Sequence, residues 1–301
     1  MDYIDKGILF GLLMNCRTPY RTLARNFNMT ANAIKKRVQK LIDTGVIVQF
    51  TVDLSPAMIE GENFLAVIST DGKENQEEYV NRLGSHMLVR EVGALSGSTY
   101  LVIGMSTGSE SLRDLGSFFR GMENVNDVEL HSLVKDALHG RKTELTKLQL
   151  RILRCLVENP RMSTGEIAER TGLTVRRTRT TINKLLDSGA VSLGIRWNLS
   201  AGEGFVFLLR ISWDEKAGSL EDVLQFIAEN FPVEFYGPMV SATEPVVFAA
   251  FVVEQFRDTD RISKKIAAAP FVVSCQTLLG RPPVSFTDIR RARLEEMIRA
   301  T

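Results

Sequence analysis

The sequence is poor in the residues on which most metal, redox and nucleophilic chemistry rests. Its 301 residues hold three cysteines and three histidines. Cys16, Cys155 and Cys275 lie far apart, with no CxxC-type spacing, so they read as buried or incidental thiols of a reducing compartment. His86, His131 and His139 all fall in the first half. Walker loops, nucleophile elbows, dinucleotide fingerprints and HExxH zinc motifs are missing. The formal net charge is only +1, which excludes a polybasic coat and requires any nucleic-acid affinity to come from local patches. No uninterrupted apolar run approaches the ~20 residues that span a bilayer. The charged start MDYIDKGILFGLLMN lacks a small-residue cleavage site and is not a secretory signal. The expectation is a cytoplasmic protein with no membrane partner, no metal, no cofactor and no catalytic residue: not an enzyme.

What the chain does have is one plan written twice. Residues 23–47 return, altered, as residues 167–191, at an offset of 144 that also aligns Ile8-Leu9 with Ile152-Leu153, Asn15 with Asn159, Asp43 with Asp187 and Gly93 with Gly237. In each copy a short helix stops at a residue suited to a left-handed turn, Asn28 or Gly172, and a threonine, Thr30 or Thr174, follows as N-cap of the next helix. Ile34, Val38, Leu41 and Ile42 then form one buried stripe, as do Ile182, Leu185 and Leu186. The opposite faces carry cations and amides, the groups that pair with phosphates and major-groove base edges. Gly45 and Gly189 terminate these helices, and β-rich runs, Val46–Leu54 and Ala190–Leu199, follow. Each copy is expected to be a helix-turn-helix with a strand-pair wing. A merely solvated basic face is the plainer alternative, but its recurrence in both copies favours DNA binding.

After each wing the pattern of strands and helices reads βαββαβ, the ferredoxin-like order with helices on one sheet face. The other face needs a cover, and the twin sheet of the same chain is the expected one. The fold class is therefore α+β: winged helices at 1–57 and 141–201, ferredoxin-like domains at 58–140 and 202–284, and a charged C-terminal helix within 285–301. For that helix, docking through Ile289, Leu294, Met297 and Ile298 is favoured over phosphate contact by Arg290, Arg291 and Arg293.

IDKGILFGLLMN, YRTLARNFNMTANAIKKRVQKLIDTGVI, a wing ending in LSP and a βαββαβ domain together resemble the Lrp/AsnC regulators, once per half and over almost the whole chain. The resemblance implies a transcriptional regulator that binds double-stranded DNA, dimerises through its second domain and senses a small-molecule effector. The DNA-contact positions it implies are Asn32, Lys35, Lys36, Gln39 and Lys40 in the first half and Arg176, Arg179, Thr180, Asn183 and Lys184 in the second, with Arg177 at the flank. The family's Gly-Asp effector signature is replaced here by Ser96, Gly97, Ser98 and Thr99 and, in the repeat, by Ser241 and Thr243. These form a candidate effector loop, a plain turn being the alternative. Because the two basic faces differ, the two half-sites are expected to be unequal. Sirohaem decarboxylases resemble the same plan, which makes a tetrapyrrole-modifying enzyme the alternative reading.

Overall fold

The structure is a computed structural model that describes residues 1–136, 138–202 and 204–300. Thr301, the end of the expected C-terminal segment, lies outside the described residues. The first repeat runs α1 (Tyr3–Met14), α2 (Tyr20–Asn26), α3 (Ala31–Asp43), β1 (Ile47–Leu54), β2 (Glu62–Thr70), α4 (Gln76–Gly84), β3 (Val89–Leu95), β4 (Thr99–Ser106), α5 (Ser109–Arg120) and β5 (Val125–Ser132). The second runs α6 (Lys147–Glu158), α7 (Thr164–Thr171), α8 (Val175–Asp187), β6 (Val191–Trp197), β7 (Phe205–Trp213), α9 (Leu220–Asn230), β8 (Phe235–Val240), β9 (Val246–Val253), α10 (Arg257–Ala267) and β10 (Val272–Leu279), followed by β11 (Val284–Ser285) and α11 (Ile289–Arg299). These elements assort into two compact units, and each unit gathers matching parts of both repeats.

The helical unit contains α1–α3 with β1, α6–α8 with β6, and α11. The expected wing, a strand pair within each copy, is not what forms. A single strand follows each recognition helix, and the two strands pair with each other: β1 runs antiparallel to β6, with Phe50 opposite Ile195, Val52 opposite Leu193 and Leu54 opposite Val191. A strand carries unpaired backbone groups along its edge, and the twin strand satisfies them. Helix α1 packs across onto β6. The Cys16 N–H donates to the Leu193 carbonyl at 2.6 Å, and Phe10 meets Trp197 edge to face at 5.7 Å. Two arginines related by the repeat close the junction. Arg17 donates to the carbonyls of Pro160 and Met162 at 2.7 and 2.8 Å, while Arg161 donates to the Tyr20 hydroxyl and lies over the rings of Tyr20 and Phe50. Helix α11 docks on β1 and α6 through buried Ile289, Leu294 and Ile298, with Arg154 donating to the Ile298 carbonyl. Its arginines pair with carboxylates of the same segment: Arg290 with Asp288, Arg291 with Glu295 and Arg293 with Glu296.

The second unit holds two antiparallel sheets, ordered β11-β3-β4-β2-β5 and β10-β7-β9-β8. Leaving aside the short β11, both follow the ferredoxin-like order. Along β7, Phe207, Leu209 and Ile211 point to one side, where they join Val223, Ile227, Ile262 and Ile266 of α9 and α10 in a buried core. Leu208 lies on the other side, in a second core that joins Leu65 and Leu101 of the first sheet to Val246, Phe248 and Leu278 of the second. That two-sided alternation is the period of a strand buried on both faces. The sheets also join at two corners. The end of β5 meets the end of β8, where the Val134 N–H donates to the Val240 carbonyl and the Ala242 N–H to the Ser132 carbonyl, at 2.9 and 2.7 Å. The end of β10 meets the end of β3, where the Ser96 N–H donates to Leu279 and the Arg281 N–H to Ala94. The twin sheet is thus the cover that the exposed faces required.

Gly194 tests the strand pairing in the helical unit. A Cβ there would stand 2.9 Å from the Leu13 carbonyl oxygen, a backbone atom of the helix crossing it. Gly194→Val is expected to lower unfolding free energy by about 1–3 kcal/mol, the usual range for overpacking. Gly165→Ala, at an uncrowded position of α7, is expected to raise it by about 0.5–1 kcal/mol. Urea unfolding of the two variants beside the parent checks both signs.

Candidate nucleic-acid interface

Each recognition helix is set by local chemistry that the repeat preserves. Asn28 and Gly172 adopt φ of +52° and +64°, turning the chain between the two helices. The Thr30 and Thr174 hydroxyls then accept the N–H groups of Ala33 and Arg177 at 3.1 and 3.2 Å, capping α3 and α8. At the far ends Gly45 and Gly189 take φ of +76° and +69°. Ile34, Val38 and Leu41 are buried beneath α3, and Thr178, Thr181, Ile182 and Leu185 beneath α8.

All eleven residues expected to face DNA are solvent-exposed: Asn32, Lys35, Lys36, Gln39 and Lys40 on α3, and Arg176, Arg177, Arg179, Thr180, Asn183 and Lys184 on α8. Among the described residues, none of their seven cations is in an ion pair. Two of the polar groups are partly engaged on their own helices. The Gln39 amide donates to Asp43 at 2.8 Å, and the Thr180 hydroxyl to the Arg176 carbonyl at 3.0 Å. Arg37, also on α3, turns toward α1, where it pairs with the capping residue Asp2 and with Asp5 at 2.8 and 2.7 Å. Exposed, unpaired guanidinium and ammonium groups on capped helices, with amides among them, suit a polyanion whose base edges are also within reach.

A winged helix-turn-helix DNA-binding family model matches residues 1–48 and 145–192, one match per repeat. The chain therefore carries a winged helix-turn-helix in each repeat and is similar to regulators of Lrp/AsnC type. Its relatives include an uncharacterized HTH-type transcriptional regulator of Pyrococcus horikoshii, 28% identical over 43% of this chain and 86% of that protein. Another is the HTH-type transcriptional regulator FL11 of Pyrococcus furiosus, 26% identical over 48% of this chain and 95% of its own length. The regulatory protein AsnC of Escherichia coli is 37% identical over 20% of this chain and 39% of AsnC. The two Pyrococcus regulators therefore align, over most of their own length, with about half of this chain.

Among solved structures, that of the siroheme decarboxylase NirDL matches this chain at a TM-score of 0.57 and 17% identity, covering 99% of both chains. At that identity the match speaks for the fold. It overturns the expectation that the chain is not an enzyme, because the whole tandem architecture is one that an enzyme also has. No helix among the described residues is long and apolar enough to cross a membrane.

The candidate effector residues do not come together in one place. Ser96–Thr99 forms the tight turn from β3 to β4, with Gly97 and Ser98 at φ of +74° and +54°. Its polar groups are largely used locally: Thr99 donates to the Gly97 carbonyl, and the Ser98 carbonyl accepts from both the backbone and the hydroxyl of Thr70. Ser241 is buried at the β5–β8 corner, where its Oγ accepts the N–H groups of Thr243 and Glu244. It also lies 3.1 Å from Nδ1 of His131 and 3.4 Å from the Thr243 hydroxyl. The ring is wholly buried against Phe248. Its Nε2 stands 3.0 Å from Glu129 Oε1 but off the line of a good hydrogen bond. Arg210 of β7 completes the group by pairing with the same carboxylate. Glu129, His131 and Glu244 also bring potential metal-ligand atoms within 4.8 Å of one another, where sequence reading expected no such grouping. Its members are strand and turn residues that no motif links in sequence.

The His131 ring and the Arg210 guanidinium together hold the Glu129 carboxyl well below its ordinary value of 4.5, at about 2. A depressed carboxylate pKa contributes stability that is complete above pH ~4.5 and is lost as pH falls toward ~2. The loss is expected to be on the order of 2 kcal/mol once partial exposure is allowed for. Glu129→Gln is expected to flatten that part of the acid-unfolding curve, measured by circular dichroism between pH 5 and pH 2.

Proposed function

We propose that the protein is a sequence-specific DNA-binding transcriptional regulator in which one chain supplies both heads of a dimeric reader. The observation that supports this most directly is the pair of exposed recognition helices whose cations have no carboxylate partners, carried on heads bonded to each other through β1 and β6. Each helix would enter a major groove. Lys35, Lys36 and Lys40 would act as point charges on the first half-site, while Arg176 and Arg179 are suited to bidentate contact with guanine on the second. The half-sites would then be unequal, and the operator an imperfect palindrome. The paired sheets would carry regulation and further self-association, with Ser96–Thr99 and Ser241–Thr243 as the loops nearest to an effector.

A second reading, a tetrapyrrole-modifying enzyme, draws on the full-length match to NirDL. A structure of that protein in complex with an iron-uroporphyrin III analogue matches over 98% of this chain at 15% identity. The group of buried His131 with half-buried Glu129 and Arg210 is a polar cluster that such a reading could employ.

Fluorescence anisotropy on a duplex enriched from a random-sequence pool separates the two. The parent protein is expected to prefer the enriched duplex over an unrelated one, increasingly so as salt rises. Arg176→Ala with Arg179→Ala is expected to weaken enriched-duplex binding at least tenfold, about 1–3 kcal/mol per bidentate contact, with unfolding unchanged. Unchanged affinity in the double variant would remove the assigned role of α8. Absence of any duplex preference, together with an absorbance change when iron-uroporphyrin III is added, would favour the enzyme.

A further inference from the structure

The two heads differ most in the helix that precedes the recognition helix. On α2 of the first head Arg21 and Arg25 are both exposed, four residues apart on the face opposite buried Leu23 and Ala24. Neither is in an ion pair among the described residues. Like charges at that spacing repel along a helix, so the arrangement is locally unfavourable unless an external anion sits over it. The repeat places Gly165 and Glu169 at these positions of α7. There the spacing carries the stabilising combination instead, with Arg170 within 3.8 Å of Glu166 and paired with Glu158 at 2.5 Å. From the first residue of α2 to the last of α3 the chain has six cations and one carboxylate, and over the matching stretch of α7 and α8 five cations and three carboxylates.

We infer that the first head is the electrostatic anchor of the molecule, with Arg21 and Arg25 contacting DNA phosphates, while the second head supplies sequence reading with little phosphate contact from its own first helix. The inference rests on the DNA-binding reading above and deepens it. The occupant is the sugar-phosphate backbone of a duplex, because two bare guanidinium groups along one helix match successive phosphates and carry no base information. The anchor binds any sequence, and the arginines of α8 discriminate.

The salt dependence of binding tests this division. Each phosphate contact contributes roughly 0.9 to the slope of log affinity against log salt. Arg21→Ala with Arg25→Ala is expected to reduce that slope by nearly 2 and to weaken enriched and unrelated duplexes by the same factor, leaving the preference between them intact. Introducing arginine at Gly165 and Glu169 is expected to raise the slope by a similar amount. Circular dichroism of each variant establishes that the helices are retained. If the parent binds DNA with a measurable slope and the alanine pair leaves that slope unchanged, the anchor role is overturned while the DNA-binding reading stands. If the alanine pair alters the preference between the duplexes, the separation of anchor from reader is overturned. If the parent binds no duplex at all, the reading beneath both fails.

Discussion

The antiparallel pairing of β1 with β6 is the constraint on which the helical unit depends. A strand with neither neighbour nor cover leaves its amide and carbonyl groups without partners, and a two-stranded ribbon alone is marginal in water. Here the ribbon is held from both ends of the chain, by α1 against β6 and by α11 against β1. Neither head has its own closed wing, so each is completed by the other. That makes the pair of heads a single folding object rather than two beads, and it fixes one recognition helix relative to its twin through backbone hydrogen bonds.

Duplication built this pair, and divergence has since worked on its contacts more than on its frame. Arg17 and Arg161 occupy equivalent positions at the junction, yet one is satisfied by two carbonyls and the other by a hydroxyl and two aromatic faces. Cys16 donates its N–H to Leu193, but its counterpart is Pro160, which has no N–H to give. The frame tolerates these exchanges because both ends of each contact lie in one chain and can change together. A homodimer of identical units would have to accept each substitution twice. The same freedom allowed Arg25 and Glu169 to part in sign.

What could be read from the residues alone was whatever local chemistry determines. Thr30 and Thr174 as caps, Asn28, Gly45, Gly172 and Gly189 as left-handed turns, and the βαββαβ order all follow from side chains within a few positions of one another. All eleven expected contact residues lie on the exposed faces assigned to them, since the buried stripe of an amphipathic helix dictates its opposite face. Pairings between distant strands were not legible in this way. Residues 47–54 alternate as a strand would whether its partner is the next segment or one 144 residues away, so the cross-head ribbon read as two local wings. The His131 group escaped for a related reason: β5, β7 and the turn after β8 each contribute, and in isolation a histidine on a strand looks like ordinary core. Arg21 and Arg25 were visible as residues, but their meaning depends on the absence of acidic neighbours, which only packing reveals.

A fold shared with winged-helix regulators and with a siroheme decarboxylase assigns neither activity, so the side chains must do it. The charge distribution is informative because the chain is nearly neutral. Arg113, Arg170, Arg210, Arg261, Arg290 and Arg291 all have carboxylates within 3.1 Å, whereas the cations of α3 and α8, with Arg21 and Arg25, have none. Among the described residues unpaired cations also occur elsewhere, Arg82, Arg120 and Arg257 among them, so it is their alignment on two equivalent capped helices that distinguishes these faces. The polar group around buried His131 belongs to the other unit and shares no residue with those faces. Binding a polyanion on the helices and binding a ligand between the sheets therefore do not compete for the same side chains. A substitution in one unit that altered the behaviour of the other would be evidence of coupling rather than of shared contacts.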